Sequence, residues 1–177
     1  MLSPIHGRKP NRIRIVVIAA LLLVLGIIAL PAGATPPEPL DFEFNVTYYD
    51  LPTDTGYGTW ESGGLLSSSG SIVQIPNHAG WDPDGCWRTV HTLDTLTGAS
   101  PEDTITIRTQ LTEIDGVPGC FSFTGSVNWT IVSATGAYAG LHGQGKGTVS
   151  GYLDFAGDTI NYVINSDLND GQGHYEP

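Results

Sequence analysis

Positive charge is nearly missing from most of this chain. Seven of its 177 residues are Lys or Arg, and four of these, Arg8, Lys9, Arg12 and Arg14, fall in the first fourteen positions. From residue 35 onward only Arg88, Arg108 and Lys146 stand against eighteen carboxylates, a net charge of −15. So few cations cannot assemble a phosphate-binding surface, which argues against a nucleic-acid partner. Charged residues are scarce altogether, at 14% against a usual ~25%. A coiled coil or helical bundle, rich in Glu, Lys, Ala and Leu, is excluded by the same shortage. Cysteine is limited to Cys86 and Cys120. Neither has a His or Cys at ligand spacing, so a metal site is not expected there.

Long apolar runs are also few. The single one, Ile15 to Leu30, follows the basic start and precedes Ala32-Gly33-Ala34. A basic segment, an apolar core and a small-residue cleavage site form a secretory signal. Sixteen helical residues reach only ~24 Å, short of a ~30 Å hydrocarbon core, so cleavage after Ala34 is expected rather than retention as an anchor. The expected product is a secreted protein, without a membrane span after signal cleavage. In an oxidising compartment Cys86 and Cys120 read as one disulfide. It would close a loop worth roughly 3–4 kcal/mol in the chain-entropy view. If the chain is a simple meander, the two cysteines start second-neighbour strands roughly 9–10 Å apart. A bridge needs Cα atoms within about 7 Å, so at least one cysteine should sit on a loop over the barrel end.

What the chain does have is glycine, 23 residues or nearly twice the usual ~7%, and a period of two. Residues 35–40 read as a Pro-rich tether. Phe42, Phe44, Val46 and Tyr48 then alternate with polar residues, as in a half-buried strand. Ile105, Ile107, Thr109 and Leu111 repeat the pattern, as do Val127, Trp129 and Ile131. Further strands are expected at 59–65, 69–75, 86–93, 146–155 and 159–165. Loops are expected at 76–85 and 95–102, a hairpin loop at 115–119 and a loose tail at 167–177. About eight strands with turns every 8–12 residues indicate an all-β barrel, with a β-sandwich as the alternative. The barrel domain is expected to span 41–166.

One segment is distinctive. Trp129 to Gly147, WTIVSATGAYAGLHGQGKG, resembles the pattern W-x-I-x-x-G-T-G-x-[YF]-x-G-[LA]-x-G-x-G of allene-oxide-cyclase-like and dirigent-like β-barrels. Thr135-Gly136, Tyr138, Gly140-Leu141, Gly143 and Gly145 match, and Ala134 departs from the usual Gly. The resemblance implies an eight-stranded antiparallel barrel, commonly with a central cavity, and relatives that act as cyclases or stereochemical guides. Independently of it, these glycines permit positive φ and close backbone approach. Tyr138 and Leu141 can then bury as a plug, which makes the segment a structural corner. A phosphate-cradling loop is the weaker reading, because the GK[ST] spacing and a downstream helix are missing.

Candidate site residues are fewer. On the strand read from Cys86 to Leu93, Trp87, Thr89, His91 and Leu93 share one face. Should that face line the interior, His91 is a general base or ligand contact, with Tyr48, Trp87 and Trp129 beside it. Asp94, Glu113 and Asp115 read as strand ends at a rim, solvated surface charges. Asp82 to Gly85 and Asp167 to Gly171 have oxygen ligands at short spacing but no distal Glu, so they read as Asx turns rather than calcium loops. No cofactor is indicated. Two functions remain open: a barrel that binds a small apolar ligand or is purely structural, and a cyclase- or dirigent-like enzyme acting in the barrel cavity.

Overall fold

The structure, a computed structural model, describes residues 36–51, 53–81, 87–117 and 120–176; the side chains of Trp81 and Trp87 fall outside that description. The alternating segments form eight strands: β1 (Glu38–Tyr48), β2 (Gly56–Gly64), β3 (Ser68–Trp81), β4 (Trp87–Thr97), β5 (Thr104–Gly116), β6 (Ser122–Ala134), β7 (Leu141–Ala156) and β8 (Thr159–Tyr175). Each pairs antiparallel with the next, and β8 returns to β1, giving a closed barrel in simple meander order. Closure removes every sheet edge and rules out the sandwich.

Alternation decides which side chains enter. Along β1, Leu40, Phe42, Phe44, Val46 and Tyr48 are buried; along β5, Ile105, Ile107, Thr109 and Leu111; along β6, Phe123, Val127, Trp129 and Ile131. An eight-stranded barrel has room for its own side chains or for one small ligand. Here the two ends of the barrel differ. The end carrying the β2–β3, β4–β5 and β6–β7 connections is filled. Phe42 packs edge-on to Trp129 at 5.3 Å and lies 6.1 Å from Trp60. Trp60 meets Tyr138 edge-on at 6.1 Å.

The corner motif closes that end. Thr135 leads into a single 3₁₀ turn, Gly136–Tyr138. Gly136 has φ +58, and a Cβ there would lie 2.2 Å from Asp103 Oδ1, so only glycine fits. The Ala137 N–H donates to that same Asp103 oxygen at 2.7 Å. The turn drives Tyr138 inward, where its hydroxyl meets Ser68 Oγ at 2.7 Å. Leu141 follows, 1% exposed. The plug reading of Tyr138 and Leu141 therefore holds.

Several expected boundaries are corrected. β3 continues to Trp81 through register shifts at Pro76/His78 and Gly80/Trp81, where a loop at 76–85 was expected. β4 runs on to Thr97. The expected tail is the second half of β8: Leu168 is fully buried, Gly173 pairs with Glu38 and with Gly143, and Tyr175 pairs with Leu141. The tether is likewise shorter, because β1 begins at Glu38. Loose composition misled here for a packing reason. A Cβ on Gly171 would lie 2.2 Å from the Trp129 ring. Gly171 and Gly173 leave the space that the Trp129 ring from β6 and the Leu40 side chain from the paired strand β1 occupy.

A chain ending at Ser166 loses half of the ladder that closes the barrel. It should show no cooperative urea unfolding transition by tryptophan fluorescence, whereas a true tail could be removed with little effect.

Candidate functional site

The opposite end carries the β1–β2, β3–β4, β5–β6 and β7–β8 connections, and there the interior is not filled. A cavity of about 480 Å³ opens between Leu51, Thr53 and Asp54 on the β1–β2 connection, Pro76 and Ala79 on β3, Cys120 and Leu153. Its walls are Val90, Leu111, Val149, Tyr162 and Ile164, and its floor holds Tyr48, Gln74, Thr92 and Ser166. The volume lies in the range of small-molecule sites, apolar walls with a few convergent polar groups. Apolar side chains also surround the mouth on the outside: Phe155 is 62% exposed and pairs across the hairpin with Ile160, while Phe121 is 55% exposed.

The floor is a hydrogen-bonded layer. Tyr48 donates its hydroxyl to Gln74 Oε1 at 2.9 Å. Thr92 donates to Asp94 Oδ1 at 2.7 Å, and its hydroxyl also meets that of Thr109. Asp94 sits two residues beyond Thr92 on the same face and directly opposite Gln74 in register. It is 0% exposed, and its second oxygen, Oδ2, has no hydrogen-bond partner. Among the described residues no Lys, Arg or His is buried, so nothing cationic faces it. An ionised carboxylate in such a place is costly. Desolvation pushes the Asp94 carboxyl up from 3.8 to about 7, although the Thr92 hydroxyl and the neighbouring Gln74 and Thr109 side chains favour its charged form. Tyr48 is held well above the usual phenol range by burial first and by the nearby Asp94 charge second. Burial likewise raises Tyr162, whose hydroxyl donates to the Cys120 carbonyl at 3.0 Å.

The expected site residues divide. Tyr48 is at the cavity floor. Trp129 is not: it lies in the filled half against Phe42, and its indole N–H has no partner. His91 is on the outer wall, because Val90, Thr92, Asp94 and Leu96 form the inward face of β4. Its ring lies 5.4 Å from that of His78, its register partner on β3. The Trp87 side chain and Cys86 lie outside the described residues. Glu113 and Asp115 are exposed, as expected; Glu113 stands at a bulge with φ +53 and accepts from Ser126 Oγ at 2.9 Å. Asp94 is the correction with most consequence. It is neither at a strand end nor solvated. The signal was present in the alternation Val90, Thr92, Asp94, Leu96, which continues past the expected end of the strand at Leu93.

Residues 82–86 are outside the described set, and Asp167 and Asp170 lie in β8. Among the described residues no three His, Cys, Asp or Glu side chains are arranged to hold an ion. The chain has no match among protein-family models, curated proteins or solved structures.

The raised Asp94 carboxyl has a consequence for stability. Between about pH 4 and 7 the unfolded chain has released this proton while the folded protein keeps it, so stability falls as pH rises through that window and levels off above it. Urea unfolding of Asp94→Asn should show a shallower fall between pH 4 and 7 than the unaltered protein. Parallel profiles would mean that Asp94 ionises freely.

Proposed function

We propose that this is an exported binding barrel that holds one small, mostly apolar molecule in its open half. The carrying observation is the cavity of about 480 Å³ with apolar walls and a polar floor, in a barrel whose other half is filled by Phe42, Trp60, Trp129 and Tyr138. Filling the open half would have needed only larger residues at Ala79, Val90 or Val149. Export is supported by the composition of residues 1–34, which lie outside the described residues. The corner motif and the meander topology support kinship with allene-oxide-cyclase-like barrels. A cyclase- or dirigent-like enzyme is the second reading. It is favoured by Asp94, a buried acid whose carboxyl is poised near neutrality within one side chain of the cavity floor.

The disulfide belongs to the same proposal. Cys120 is buried in the β5–β6 connection and lines the cavity, as expected of a cysteine on a loop over the barrel end. In the sequence Cys86 falls between the end of β3 at Trp81 and the start of β4 at Trp87. A Cys86–Cys120 bridge would pin two connections across the mouth. Protein purified without reductant should resist thiol alkylation in urea until it is reduced, and should unfold at lower urea afterwards; free alkylation of both thiols would refute the bridge.

Native mass spectrometry of the protein from its own source tests the binding reading. A retained non-covalent adduct is expected, absent from Leu153→Trp, which puts an indole in the mouth. A hydrophobic fluorescent probe should bind the unaltered protein at least tenfold more tightly than this variant. Equal probe binding by both would place any binding outside the cavity.

A further inference from the structure

The nature of the floor narrows what the cavity takes, given that the open half is a binding site. Among the described residues Asp94 is the one buried acid, and none of them gives it a cationic partner. Its Oδ2 is without a hydrogen bond. A buried acid that is only half satisfied destabilises a fold, and replacing it by a well-packed apolar residue is often neutral or favourable. The two groups that screen Asp94 from the cavity, Thr92 and Gln74, are floor residues themselves. A charge brought to the floor is therefore separated from the carboxylate by one side-chain layer of low dielectric. Across such a layer a unit positive charge is attracted and a negative one repelled, more strongly than in water.

We propose that the ligand is a lipophilic primary amine that enters head first, its ammonium resting on the Tyr48–Gln74–Thr92–Ser166 floor as the counter-charge to Asp94. The floor can receive such a head. Thr92 and Ser166 hydroxyl oxygens, the Gln74 carbonyl oxygen and the Tyr48 oxygen are acceptors, and an ammonium offers three donors. The apolar tail would lie against Val90, Leu111, Val149 and Ile164, toward Leu153. The protein's overall field acts in the same sense, since a net −15 beyond residue 34 raises the local concentration of cations. A fatty acid, the obvious occupant of an apolar barrel, meets the wrong sign at the floor. A neutral alcohol has the right shape but supplies no charge.

Proton linkage separates this from general attraction to an acidic protein. Around Asp94 the facing groups are Gln74 from β3, Thr92 on its own strand, Ile107 and Thr109 from β5, and Tyr48 from β1. Tyr48 is the only other one that titrates, and it stays neutral through the physiological range. An alkylammonium resembles a lysine head, with a pKa of about 10.4, and keeps its charge below pH 9. The affinity for the amine should therefore rise as Asp94 ionises, between about pH 6 and 8.

The test is isothermal titration of the full-length chain with octylamine, octan-1-ol and octanoate at pH 5.5 and 8.5, repeated with Asp94→Asn and Leu153→Trp. At pH 8.5 octylamine should bind about tenfold or more tightly than octan-1-ol, with octanoate weakest. The ratio of amine to alcohol should fall toward one at pH 5.5 and in Asp94→Asn. Leu153→Trp should abolish binding of all three. Equal affinities at pH 8.5, tighter octanoate, or an amine preference that survives in Asp94→Asn would overturn the assignment to an amine while leaving the cavity as a binding site. Failure of all three probes to bind the unaltered protein would overturn the binding reading as well.

Discussion

Pairing of β1 with β8 closes the sheet, and closure fixes how many side chains the interior must hold. Once the ring is complete, period-two alternation sends half the residues of each strand into a volume that cannot expand. The sequence meets that constraint differently at the two ends. At the filled end bulky residues on β1, β2 and β6 (Phe42, Trp60, Trp129) pack together, Trp129 against Gly145 on β7 and Gly171 on β8, and the Gly136–Tyr138 turn brings Tyr138 against Trp60. At the open end Val90, Leu111, Val149 and Ile164 line the hollow together with Tyr162, and Tyr48, Gln74, Thr92 and Ser166 form its floor. The hollow lies at the end where the β3–β4 and β5–β6 ladders shift register, at Pro76/His78 and Thr112/Asp115.

The polar layer is where the molecule departs from what stability alone would select. Gln74, Thr92, Asp94, Thr109 and Ser166 are all buried. Hydrogen bonds among them offset part of the desolvation cost, but a carboxylate oxygen without a partner is left over. Residues that break a local rule without an evident compensating gain tend to mark functional sites. Here the break lies beside a cavity, at the boundary between packed and hollow halves, and a ligand is the simplest compensation.

Much of the frame was legible from residue order. Ile105 to Leu111 and Phe42 to Tyr48 alternate cleanly because one neighbour faces a core and the next faces water. The corner at 135–141 was legible because a positive φ and a buried Tyr leave few choices of residue. The second half of β8 was not, because a strand that yields its interior space to Trp129 and Leu40 is written in glycine and polar residues, the same letters as a loop. The β3–β4 end was obscured by two register shifts around Pro76 and Gly80, which break the period that strand reading depends on. His91 and Asp94 were exchanged in role for a related reason. Both faces of β4 carry a mixture of Thr, apolar and ionisable residues, so alternation gives the two faces without saying which is inside. Only the barrel's curvature, set by long-range pairing, decides that.

The occupant of the open half is the point on which the role of Asp94 turns. A crystal structure of the protein grown with octylamine measures this directly. Density is expected for one alkyl chain between Leu153 and the floor, its nitrogen within hydrogen-bonding distance of Thr92 or Gln74. An empty interior, or an amine bound only on the outer wall, would contradict that role.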